Sequence, residues 1–137
     1  MKFLFSPDAI APEKVYALLR MFVGALLVYH GHEIFRREIM ESYLTWDMFK
    51  GPNGELKVYV GKTSEFIAGL SLLFGFLTRL GSLLLIGTLS FITFVMGHGR
   101  FWYEDQHPFM FVLFGILFFF YGAGIWSVDQ ALFKPKK

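Results

Sequence analysis

Cysteine is absent from this 137-residue chain. Its absence excludes disulfides, thiol redox chemistry and thiolate-held iron–sulfur clusters within the chain. Charge is also scarce, at 18% of residues with a net charge of +2. The basic residues are scattered rather than clustered, so no nucleic-acid surface is expected. A cleavable leader is not expected either. Met1-Lys2-Phe3-Leu4-Phe5-Ser6-Pro7 has too short an apolar core and no small-residue cleavage site. The first long apolar segment is therefore expected to direct insertion itself.

What the chain does have is apolar and aromatic. It is 55% hydrophobic and 20% aromatic, with eighteen phenylalanines and a mean hydropathy of +0.49. A small soluble core has no room for that many large rings, and lipid is the natural solvent for the surplus. Four apolar segments stand out at about 13–32, 58–77, 80–97 and 108–126. Each is near the ~20 residues that a helix needs to cross a bilayer. The run from Phe66 to Met96 would make one helix of about 46 Å, too long for that core. Arg79 therefore marks a tight hairpin at the headgroups. The expected fold is all-α: one domain over 1–137, an integral membrane four-helix bundle with up-down topology.

The first loop, 33–57, is polar and mixed and ends in the turn signal Pro52-Asn53-Gly54. Before it, Ile39, Tyr43, Trp46 and Phe49 recur at helical spacing. A short amphipathic helix at the interface is expected there, with Trp46 at headgroup level. In segment two, Gly61, Ala68, Gly69 and Gly75 form a small-residue stripe suited to close helix packing. Glycine-rich faces of this kind also allow a homo-oligomer.

Up-down threading puts every histidine at one face. His30 and His32 close segment one, His98 closes segment three and His107 opens segment four. Glu33, Glu65, Glu104 and Asp105 join them. Glu65 is the sharpest member, because it sits among Phe66, Ile67 and Leu70. A carboxylate there is either desolvated or paired with Lys62, His30, His98 or Arg100. Carboxylates and histidines at one membrane face suit quinol oxidation, in which each hydroxyl must lose a proton. The candidate catalytic residues are Glu65, His30 and His98. The candidate substrate-binding residues are Arg20, Glu65, His107, Trp102 and Tyr29. A quinone is the expected cofactor. Glu104-x-x-His107 has a spacing that di-iron bundles use, but one such motif is too few. Haem ligation by His30 and His98 is conceivable, yet no spacing demands it, so neither metal nor haem is expected.

At the other end Arg20 stands with Tyr16, Tyr121, Ser127 and Asp129. Asp129 is expected to neutralise Arg20 or Arg79, and the cluster reads as structural by default. The bases of the two ends are equal in number. The tail Lys134-Pro135-Lys136-Lys137 and the hairpin Arg79 lie close to helix ends. They favour cytoplasmic termini, with the histidine end outside.

The ordered motifs resemble the DoxX family of small four-helix membrane proteins over nearly the whole length. They are Leu19-Arg20, Gly24 and Tyr29-His30-Gly31, then Glu65, Gly69-Leu70, Gly75 and Thr78-Arg79, and last Gly122-x-Gly124 with Ser127-x-Asp129. The resemblance implies a bacterial inner-membrane fold associated with redox complexes; a relative, DoxD, is a subunit of a thiosulfate:quinone oxidoreductase. Two departures matter. Ile34 stands where many members have a Lys, and Ala123 and Ile125 stand where the closing motif often has Pro and Arg. Both remove rigidity or positive charge, which disfavours an anionic substrate more than a quinone. Two roles follow: a quinone- or quinol-interacting subunit of a membrane oxidoreductase, or a non-catalytic membrane partner or assembly subunit that docks a soluble protein through 33–57. Either way, the lipid bilayer and another protein subunit are the expected partners.

Overall fold

A computed structural model describes residues 5–133. The basic residues Lys134, Lys136 and Lys137, used above for sidedness, lie outside them. Among the described residues every regular element is helical, with no strand. Four longer helices carry the structure: α1 (Pro12–Gly31), α3 (Gly54–Phe74), α4 (Thr78–Phe91) and α5 (Gln106–Tyr121). Two short ones, α2 (Arg37–Tyr43) and α6 (Val128–Phe133), lie between and after them.

Each boundary has a local cause. Pro12 and Glu13 occupy the first turn of α1, where a missing N–H and a negative charge both suit the helix start. A single 3-10 turn, His32–Phe35, carries the chain off its end. The expected helix over Ile39–Phe49 is broken after Tyr43. Ser42 and Thr45 turn their hydroxyls onto the carbonyls of Ile39 and Ser42, and Trp46 is extended. Asn53 is left-handed, so α3 begins at Gly54, earlier than the hydropathy suggested. Gly75, at φ 64°, ends α3, and Phe76 N–H closes the turn on the Ser71 carbonyl. The hairpin expected at Arg79 is therefore made by Gly75 and by Leu77 at φ 50°. α4 runs on as a wider π turn, Ile92–Met96. α5 stops at Tyr121, short of the expected 126, because Gly122 at φ 85° leaves the helical region.

α1 packs on α3, α3 on α4 and α4 on α5. The α1–α3 contact is glycine-mediated. A Cβ on Gly69 would lie 2.6 Å from the Val28 nitrogen, and one on Gly31 would strike the Phe66 backbone. Val23, Leu27, Ala68, Leu72, Leu85 and Phe118 form the buried core between the long helices. A smaller cluster of Met40, Phe49 and Val58 seats the first loop on the upper part of α3. Outward faces are apolar as well, with Phe22 67% and Phe120 76% exposed. Two stretches, Pro12–Phe35 and Thr78–Met96, are long and apolar enough to cross a membrane, and Gln106–Tyr121 is a shorter apolar helix. α3 carries Glu55, Lys57 and Lys62 in its N-terminal half and Glu65 at its middle.

Candidate functional site

Lys62 and Glu65 are three residues apart on α3, so their side chains share a face. The 3-10 turn after α1 brings Glu33 against the same face, and the last residue of α2, Tyr43, closes it. Lys62 Nζ is 2.9 Å from Glu33 Oε2 and 3.1 Å from Glu65 Oε2. The Tyr43 hydroxyl donates to Glu33 Oε2 at 2.7 Å. The ammonium also stands 4.9 Å from the centre of the Tyr43 ring, within cation–π range. The three charged side chains are only 9–20% exposed, so their interaction is weakly screened. Lys62 and Tyr43 together satisfy the Glu33 carboxylate. Burial and the bond to Glu33 raise the Tyr43 hydroxyl, which keeps it a donor.

This network borders an apolar groove of about 570 Å³ between α3 and α4, roofed by Tyr43, Trp46 and Phe49. Val58, Leu84, Phe91 and Met96 line it, and Lys62 and Glu65 form its polar wall. Gly61 and Gly87 line it too, and a Cβ on either would meet nothing within 4 Å. Gly61 therefore does not serve the packing stripe expected of it; Ala68 and Gly69 do, while Gly75 is a helix cap. Glycine costs a helix about 1 kcal/mol relative to alanine. These two return that cost as open volume. Glu65 lies eleven residues into the 21-residue α3, about halfway along a helix of roughly 31 Å. It is deeper along its helix than the apolar pattern implied.

The histidines stand elsewhere. His30 faces His107 across the α1–α5 end, with ring centres 6.3 Å apart. Tyr29 is exposed and packs edge-on to His30. His32 Nδ1 hydrogen-bonds the Tyr29 carbonyl. His98 is 77% exposed and pairs with Glu104 at 3.3 Å. Trp102 packs on Phe101 and is otherwise exposed. Asp105 accepts from the backbone N–H groups of His98 and Arg100, which staples that loop. None of these residues lines the groove. Of the partners expected for Glu65, the structure supplies Lys62. Among the described residues, no three His, Asp or Glu side chains gather as a metal site would require.

Arg20 sits at the opposite end with no exposed surface. Its Nη1 donates to the Leu72 and Leu73 carbonyls, and Nη2 donates to the Trp126 carbonyl at 2.9 Å. Leu72 and Leu73 lie in the last turn of α3, where carbonyls lack helical partners. Arg20 is thus a cap for α3 supplied by α1. Asp129 does not take the ion-pair role expected of it. Its carboxylate accepts from Leu77 N and Thr78 N at 2.7 and 2.9 Å, which caps α4 instead.

The sequence placed Glu65 and Glu33 in one set and named Lys62 among the partners of Glu65, but gave no sign that Lys62 also reaches Glu33. The three-residue spacing of Lys62 and Glu65 was the available signal for their pairing. Tyr43 carried none beyond its place on an amphipathic pattern.

The DoxX family pattern matches residues 15–98, more than half of the chain. The match spans α1 to the π turn, so it contains the groove and its polar wall but not Trp102 or His107. No curated protein and no solved structure matches the chain. On the family match, this chain belongs to the DoxX family of membrane-associated proteins.

Proposed function

We propose that the four long helices form a bundle that spans the bacterial inner membrane, and that the chain is a quinone- or quinol-interacting subunit of a membrane oxidoreductase. The observation that carries this reading is the α3–α4 groove: 570 Å³, apolar along its length, and ending on an ionisable wall of Glu65 and Lys62. A lipophilic ring with an apolar tail fits such a space, entering sideways from the bilayer. Quinol oxidation releases two protons and two electrons. Glu65 is the proton acceptor at the ring, and Lys62 and Glu33 continue the polar path toward the first loop. The electrons pass to a redox centre in a partner subunit beside the groove. Native mass spectrometry of the protein, released from its own membranes in mild detergent, tests the reading. An added mass equal to a quinone, lost in Gly87→Leu, supports it. A bare chain in both proteins refutes it.

The second reading, a non-catalytic partner or assembly subunit, is favoured by the exposed side of the first loop, where Phe35 is 73% exposed beside Arg36 and Arg37. There the joint substitution Phe35→Ser, Arg36→Ala and Arg37→Ala should abolish recovery of a soluble partner, while Gly87→Leu leaves recovery intact.

A further inference from the structure

The polar wall of the groove is unbalanced in its hydrogen-bonding capacity. Glu65 is 7% exposed and lines the cavity. Its Oε2 receives Lys62, while no described group donates to its Oε1. The Lys62 ammonium is already directed at Glu33, at Glu65 and at the Tyr43 ring. The Tyr43 hydroxyl proton is given to Glu33. Ser64 and Thr88 also line the groove, but a hydroxyl serves as donor or acceptor equally and does not discriminate. Lys57 and Trp46 line the groove too and bring donors of their own, but Lys57 lies eight residues before Glu65, about 12 Å along α3, and Trp46 is in the roof. At the Glu65 end the charged wall offers an unused acceptor and keeps the donors of Lys62 and Tyr43 committed.

We infer that the groove is selective for redox state: it binds the hydroquinone form of a lipophilic ring more tightly than the quinone form, and Glu65 is the residue that decides. This inference rests on the quinone reading above. A hydroquinone hydroxyl donates to Glu65 Oε1 and gains a charge-assisted hydrogen bond in an apolar setting. A quinone carbonyl only accepts. Facing the same carboxylate, it meets a like-signed oxygen and leaves both groups unsatisfied. The difference should be on the order of ten- to a hundred-fold in Kd. Tighter binding of the reduced form raises the midpoint potential of the bound couple, by about 30 mV for each tenfold in a two-electron couple.

The test is a pair of binding isotherms on the full chain in detergent, with a decyl-substituted benzoquinone and with its hydroquinone under argon. The hydroquinone should bind at least ten-fold more tightly. Glu65→Gln supplies an amide donor in place of the acceptor, and should erase or invert the ratio by weakening hydroquinone and strengthening quinone. Gly87→Leu fills the groove and should weaken both forms together. Equal affinities in the unsubstituted protein would overturn redox selectivity while leaving the quinone reading in place. Binding of neither form, or binding indifferent to Gly87→Leu, would overturn the groove reading and the selectivity with it. The ratio in the unsubstituted protein decides the matter even where Glu65→Gln fails to fold.

Discussion

Replacing Arg20 with methionine keeps most of its volume and deletes its donors, so the change isolates what the guanidinium contributes. Arg20 has no exposed surface, and its bonds to the Leu72 and Trp126 carbonyls tie α1 to the end of α3 and to the segment after α5. Hydrogen bonds from a charged donor are worth about 1.5–3 kcal/mol each, and the deserted Leu72 carbonyl stays buried. The loss should be on the order of 3–5 kcal/mol. For a chain of this size that corresponds to a fall in Tm of about 10–15 °C, read at one fixed scan rate in detergent. Arg20→Lys should recover less than half, since an ammonium lacks the planar fork that reaches carbonyls from two segments. Quinone binding by the folded fraction should not change, because Arg20 does not line the groove. A Tm within about 3 °C of the unsubstituted protein, or equal values for methionine and lysine, would refute the idea that Arg20 caps α3.

Glycines separate by what surrounds them. Gly69→Ala drives a Cβ to 2.6 Å from the Val28 nitrogen and should cost about 1–3 kcal/mol, whereas Gly61→Ala meets open space and should gain up to about 1 kcal/mol; melts that rank them the other way would contradict the packing described. Asp129→Ala removes the cap that the C-terminal segment lends to α4 and should cost about 1 kcal/mol, with a melt unchanged from the unsubstituted protein as the contrary result. Tyr43→Phe removes one of the donors to Glu33 and should lower stability by about 1–2 kcal/mol, with a melt unchanged from the unsubstituted protein as the contrary result.

The all-helical class was legible in the sequence because runs such as Leu80–Met96 are long and apolar, and because Pro12, Pro108 and Gly122 punctuate them, whereas the short helix α6 was not expected. The membrane character was legible for the same reason. Glu65 drew attention as a carboxylate within an apolar run. What could not be read was which groups meet it. The histidines share an end with Glu65 by threading alone, but α1 and α5 bring His30 to His107, while the groove opens on the far side of α3. Glu33 reaches Lys62 through a 3-10 turn that no periodicity announces. The break in the first loop after Tyr43 depended on the hydroxyls of Ser42 and Thr45 competing for backbone carbonyls, a choice that propensity leaves open. Arg20 and Asp129 looked like charges in search of each other. Each found unpaired backbone groups at a helix end instead, and those ends exist only once the hairpin at Gly75 has formed.

The α3–α4 groove is proposed to hold a quinone-type ring. Photolabelling tests it most directly, with an azido-benzoquinone carried on an apolar tail, applied to the protein in native membranes and followed by peptide mapping. Adducts are expected on the groove walls, within Val58–Glu65 of α3 and Leu84–Met96 of α4, competed away by unlabelled decylbenzoquinone and lost in Gly87→Leu. Adducts concentrated at the His30–His107 end, or labelling that no competitor displaces, would contradict it.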